Sequence, residues 1–280
     1  MSNGRLCLQQ TKRRSLLRRL VVIATALAVL AAAASALAAT GGLNTYAASL
    51  KFSPNKAGSG AAPSTIGFTE SYTAGGTNGN RTAPLTDIKT TVYGLKSDGK
   101  DFPTCSFTKI SNAKSDAACP KGALIATGSI TALLGPAEPS EQSTAVPTVP
   151  CDPLLHVWNA GQGKVVFFFV VTGSHTCGPI QTGGVTPFAG TVKNVGKNLV
   201  LNTPIPAAVS FPITGVEGSL TGETLHYLKV SKTVKGKTVM YQASTACKGG
   251  KRPYSVAFTA ENGPGGTSST QTVTGTQKCS

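Results

Sequence analysis

Lys164–Gly173 reads "KVVFFFVVTG". It is the most apolar run beyond the N-terminal segment, and valine and phenylalanine fill it without a proline. It is short and β-branched, which argues against a helix. Its apolar residues do not alternate with polar ones, so it is expected to be a central strand covered on both faces. The stretches around it carry strand signals of the ordinary kind. Upstream, "GPAEPSEQSTAVPTVPCDP" (Gly135–Pro153) packs five prolines into a segment with almost no apolar pattern and is expected to be a long connection. Downstream, "PFAGTVKNVGKNLVLNTP" reads as two strands about the turn Val195-Gly196-Lys197, and "AAVSFPITGVEGSLTG" as one or two more.

The rest of the chain follows the same grammar. "AASLKFSP" is a strand, and "STIGFTESYT" places Ile66, Phe68 and Tyr72 on one face. In "LTDIKTTVYGL" Leu85 is out of phase with Ile88, Thr90 and Val92. "GALIATGSITALL" is a strand in which Gly128 marks a bulge. "TLHYLKVSKTVKGKTVMYQAST" reads as a hairpin turning at Lys235-Gly236, and the C-terminal stretch from Arg252 as another around "ENGPGG". Many short strands at regular spacing indicate an all-β sandwich or barrel. The expectation is an antiparallel β-sandwich of jelly-roll or Ig-like type, preceded by a signal-peptide helix. Residues 40–280 are expected to form one domain, the alternative being two smaller sandwiches split near 135–153.

The N-terminus sets the compartment. Arg5, Lys12, Arg13, Arg14, Arg18 and Arg19 precede "VVIATALAVLAAAASALA", which ends in Ala36-Leu37-Ala38. A basic start, an apolar run and a small-residue site are the pattern of a signal peptide over 1–39. The protein is therefore expected to be secreted or held at the extracellular cell surface, meeting a membrane only through that segment if it stays uncleaved. Without it the chain keeps 20 basic residues against 11 acids, net +9, and all the basic residues but Arg81 and Arg252 are lysines. So little arginine argues against specific nucleic-acid reading, which favours bidentate guanidinium contacts. Six cysteines remain: Cys105, Cys119, Cys151, Cys177, Cys247 and Cys279. An even count in an exported chain reads as disulfides, with fifteen pairings open and nearest neighbours the simplest.

Three pieces resemble a family of exported actinobacterial proteins of unknown function. They are "APLTDIKTTVYGLKSDGKDFPTCS", "ACPKGALIATGSITA" and the ending "ACKGGKRPYSVAFTAENGPGGTSSTQTVTGTQKC". The resemblance implies secretion, a β-rich fold and disulfides Cys105–Cys119 and Cys247–Cys279. It implies no activity.

Catalytic patterning is sparse. The G-x-S-x-G elbow is absent and the acids are scattered. Cys151, His156, His175 and Cys177 have a spacing unlike that of structural zinc sites, and disulfides would consume two of them. No metal or cofactor is expected. A hydrolase would bring two or more of Asp152, His156, His175 and Glu223 into one pocket. A carbohydrate-binding module would expose Trp158, the sole tryptophan, on a flat face. Lys229, Lys232, Lys235, Lys237, Lys248, Lys251 and Arg252 follow one another with no acid between them. They suggest a basic face for an anionic cell-wall polymer or polysaccharide, although lysines also discourage edge-to-edge aggregation. The expected function is a non-enzymatic cell-surface or wall-associated protein with a structural or binding role. The alternatives are a carbohydrate-binding module or a secreted hydrolase.

Overall fold

The computed structural model describes residue 39 and residues 41–77, 81–136, 147–178, 183–184 and 186–280. The expected signal segment up to residue 38, the loop residues 78–80 before Arg81, and much of the proline-rich stretch fall outside these residues. Ala36–Ser280 is one compact unit. Its frame is eleven strands: β1 (Asn44–Ser53), β2 (Gly67–Gly76), β3 (Leu85–Tyr93), β4 (Leu124–Gly135), β5 (Leu154–Gly161), β6 (Lys164–Val171), β7 (Phe188–Val195), β8 (Asn198–Pro204), β9 (Glu217–Tyr227), β10 (Lys251–Asn262) and β11 (Thr267–Lys278). They form one sheet in the order β1-β2-β9-β4-β5-β6-β7-β8-β3-β10-β11, with Val149–Pro150 and Gly183–Gly184 added on β4 and β6.

The expected sandwich is corrected here to a nearly closed barrel. A sandwich divides its strands between two sheets, whereas these eleven share one. Alternation along a strand is the same in both architectures, since each has one face turned to a core. In β1 the residues Asn44, Tyr46, Ala48, Leu50 and Phe52 are buried and those between are less so. β10 repeats this with Arg252, Tyr254, Val256, Phe258 and Ala260.

Every neighbouring pair along the order is antiparallel. Eleven is odd, so β1 and β11 meet running the same way. No backbone ladder joins them among the described residues. Side chains close the seam instead. Ser269 Oγ accepts from the Leu43 amide (3.1 Å) and Gln277 Oε1 from the Phe52 amide (2.7 Å). Below them the Ala57 amide donates to the Ser280 carbonyl (2.7 Å) and the Ser280 amide to that of Asn55 (3.1 Å). Behind the seam Tyr46 stacks on Phe258 with centroids 4.3 Å apart.

β6 is buried on both faces, as its composition predicts. Val165, Phe167, Phe169 and Val171 join the barrel core. Val166 and Phe168 face outward, against a second cluster with Cys105, Ile110, Ala123 and Trp158. That cover is the excursion between β3 and β4. It carries the helix α1 (Phe107–Ala113), whose cap Ser106 accepts from the Lys109 amide, and it is closed by Cys105–Cys119. The remaining disulfides are Cys151–Cys177 and Cys247–Cys279.

Local readings divide. The offset of Leu85 is a bulge at Thr86, because Asp87 pairs with Thr259 and Leu85 with Ala260. Gly128 is no bulge: it pairs in register with Leu225 of β9, and a Cβ there would collide with the Thr224 carbonyl oxygen, so only glycine fits. "AAVS" is not a strand but a helical turn, α2 (Ala207–Ser210), entered from Pro206. The Lys235-Gly236 turn joins Ser231–Val234 to Lys237–Met240 in a separate two-stranded sheet, while Leu225 and Tyr227 belong to β9.

The end of the barrel away from α2 is closed by a three-stranded sheet of Ser64–Thr65, Gln242–Ser244 and Leu95–Ser97, with Arg252 beneath it. The Arg252 guanidinium donates to the carbonyls of Tyr93, Ala246 and Lys56, to Asn55 Oδ1 and to Ser244 Oγ. Burial lowers its pKa to about 10. Arg252→Ala orphans these buried acceptors, each at about 1–3 kcal/mol if unmet. Urea unfolding is expected to show a loss of roughly 3 kcal/mol or more. Arg252→Lys recovers only part of it, because an ammonium lacks the guanidinium fork. A loss below about 1 kcal/mol for Arg252→Ala contradicts this account.

Candidate functional site

The upper half of the barrel is not filled. A cavity of about 190 Å3 lies between the inner faces of strands β2 to β9. Its walls are chiefly apolar: Leu85, Ile88, Ile130, Leu155, Phe167, Phe169, Phe188, Leu201 and Leu225. α2 and the segment after it cover it with Ala208, Val209, Ser210 and Pro212. Ser210 Oγ donates to the Leu85 carbonyl and so fastens this cover to the rim. Ile213, next in the chain to Pro212, is 67% exposed. The Cys151–Cys177 disulfide also lines the cavity, and Pro150 accepts from the Gly178 amide beside it.

Two acids sit among these apolar walls. Glu70 on β2 and Glu223 on β9 both line the cavity. Leu225 pairs with Glu70 and Tyr72 with Glu223, so the two acids are diagonal neighbours on the inner face. Thr90 Oγ1 donates to Glu70 Oε1 at 2.5 Å. Burial raises the Glu70 pKa to about 7, against which the Thr90 bond pulls. Burial, and then the charge of Glu70, raise Glu223 to about 8. Glu223 keeps some accessible surface, the surface of the cavity it lines. Neither acid belongs to an ion pair among the described residues. The Tyr227 hydroxyl, buried where its residue lines the cavity, has no hydrogen-bond partner. That of Tyr72 is buried beside Glu223 without a well-directed bond.

The residues expected from sequence are dispersed. Of Asp152, His156, His175 and Glu223, Glu223 alone lines the cavity. Asp152 accepts the Ala132 amide, and His175 Nδ1 lies 3.1 Å from the Asp152 carbonyl oxygen. His156 Nδ1 is 2.6 Å from Asp116 Oδ2, which also accepts from Trp158 Nε1 at 3.1 Å. Burial pushes the Asp116 pKa up, but the bonds and charge around it prevail and leave it lowered. Trp158 is buried in the outer cluster, so it offers no flat face for a sugar. No group of three or more metal-ligating side chains occurs among the described residues.

Lys229, Lys232, Lys235, Lys237, Lys248 and Lys251 are exposed. They lie at the closed end, near Tyr227 and the start of β10, as do Lys56, Lys164, Lys197 and Lys278. Lys232 Nζ stands 5.5 Å from the Phe102 ring centroid. Arg252 is corrected out of this basic face, because its guanidinium is buried in the contacts given above.

No family model matches the chain, and no curated protein or solved structure matches it either. What the structure carries of the resemblance drawn from sequence is three disulfides in a β-rich fold. The disulfides fit an oxidising environment, and no described helix is long and apolar enough to cross a membrane.

The acids make stability depend on pH. In the unfolded chain both lose their protons near the usual 4.5; in the barrel they keep them to about 7 and 8. Their contribution is therefore most favourable below 4.5 and declines as pH rises from there to about 8. Glu223→Gln is expected to stabilise the protein by on the order of 1–3 kcal/mol at pH 9, several degrees in Tm. At pH 4.5 it should change little. Thermal melts at both values check this, and an equal shift at both contradicts it.

Proposed function

We propose that this is an exported, non-enzymatic binding protein whose barrel takes up a small, largely apolar molecule. The observation that supports this reading best is the cavity: apolar walls, few polar groups, and a position inside a rigid barrel beneath a short cover. The signal-peptide pattern and the complete pairing of the six cysteines support export. Against an enzyme stands the dispersal of the histidines, none of which reaches the cavity lining among the described residues. The exposed Ile213 beside the cover suits an entry rim for an apolar guest.

The test uses N-phenyl-1-naphthylamine, a neutral probe that fluoresces in apolar surroundings. The oxidised protein should bind it one to one. Ala132 lines the cavity and is small, so Ala132→Phe fills space there. It is expected to weaken binding about tenfold or more. Val195→Ala, at an exposed site on β7, should leave binding unchanged. Overpacking costs typically 1–3 kcal/mol, so the near-ultraviolet circular dichroism of the variant is compared first. A folded Ala132→Phe protein that binds the probe normally contradicts the reading.

The gathering of lysines at the closed end favours a second, compatible role. That end would hold an anionic cell-wall polymer by salt-screened attraction, leaving the α2 end free. Co-sedimentation with isolated walls should fade as salt is raised. It should also be lost when Lys229, Lys232, Lys235 and Lys237 are all replaced by glutamine. Retention insensitive to both changes rules this role out.

A further inference from the structure

The cavity has one polar cluster, and it consists of acids and hydroxyls. Glu70, Glu223, Thr90 and Tyr227 contribute to the lining, and no lysine, arginine or histidine does so among the described residues. Two carboxyl groups are thus buried side by side without a cation, which is costly for both when ionised. The Tyr227 hydroxyl, on a residue that lines the cavity and is 5% exposed, is also buried without a hydrogen-bond partner. Tyr72 adds another buried hydroxyl beside Glu223.

We propose that the barrel selects molecules carrying a protonated amine on an apolar body, with the ammonium group held between Glu70 and Glu223; this rests on the ligand-carrying reading of the barrel. The three charge types of guest separate cleanly. An anion would add a third negative group to the pair. A neutral guest leaves ionisation of the pair as unfavourable as before and gains only ordinary hydrogen bonds. A cation alone converts the pair from a liability into charge-assisted hydrogen bonds within low-dielectric walls. The ammonium group offers three donors, matching the two carboxyl groups and the free tyrosine oxygen. The body then extends past Ile130 and Leu201 towards Ile205 and Val209 under the cover.

Binding of this kind has a proton signature. The incoming ammonium keeps its proton, and the carboxyl group it meets gives its own to the buffer. The titratable groups that feel the pair's charge are Tyr72 and Tyr227; both stay neutral because burial, first among the causes, raises each of them. Proton release therefore comes from Glu70 and Glu223.

Octylamine, octan-1-ol and octanoate share one apolar chain and differ in head group. Isothermal titration at pH 7 in two buffers of different ionisation enthalpy is the experiment. Octylamine is expected to bind about tenfold or more tightly than octan-1-ol, with octanoate weakest and protons released for the amine alone. Glu70→Gln and Glu223→Gln should each remove most of the amine's advantage over octan-1-ol, while Val195→Ala, at an exposed site on β7, leaves that advantage intact. Octan-1-ol or octanoate binding as tightly as the amine overturns amine selection while leaving the ligand-carrying role in place. Failure of all three to bind overturns the ligand-carrying role and amine selection with it.

Discussion

The structure depends on how the first strand of the barrel meets the last. Ten antiparallel pairings bring β1 and β11 together in the same direction. Where no ladder forms, each strand would present an unpaired edge, and exposed edges invite association with other chains. Here specific side chains take the ladder's place: Ser269 near one end of the seam, Gln277 near the other, and the Tyr46–Phe258 stack behind. The Cys247–Cys279 bridge ties the end of β11 to the segment that leads into β10. The seam is thus held by non-local contacts, which the strand pattern of any single segment does not contain.

The same strand count shapes the interior. Barrel diameter grows with the number of strands, and about eight already leave room for side chains or one small guest. At the closed end the wider circumference is filled by rings: Phe68 stacks on Tyr227 with centroids 4.2 Å apart, and Phe52 lies across Phe68 and Tyr254. Towards α2 the inward residues are aliphatic side chains, the rings of Phe167, Phe169 and Phe188 and the two acids, and space remains. The two ends differ in charge outside as well. The lysines gather where the barrel is plugged, while Asp87, Asp152, Glu217 and Glu261 lie towards the α2 end. A barrel resting on its lysines would turn its cavity outward.

Much of the wall was legible in the sequence because alternation is a local property. "KVVFFFVV" announced a strand covered twice, and the Leu85 offset marked a bulge at Thr86. The inward acids were legible too: Glu70 shares parity with Phe68 and Tyr72, and Glu223 with Leu225 and Tyr227. An acid at a core position of a strand is a signal that catalytic motifs do not contain, and it singles out Glu70 as well as Glu223. Closure was not legible, since one-sided alternation suits two packed sheets as well as one curved sheet. Nor was the role of Arg252, whose neighbours in sequence are lysines but whose partners come from Asn55, Tyr93 and Ser244. "AAVS" misled because its small apolar residues suit a strand, whereas Pro206 opens a helical turn there.

The central claim is that an apolar guest occupies the inside of the barrel. Methyl NMR of protein labelled at isoleucine, leucine and valine, titrated with octan-1-ol, tests it most directly. The account predicts saturable shifts at Ile88, Ile130, Leu201 and Leu225, with Ile66 and Val195 unmoved. Shifts confined to exposed positions such as Val195 and Leu228, with the lining methyls silent, would contradict it.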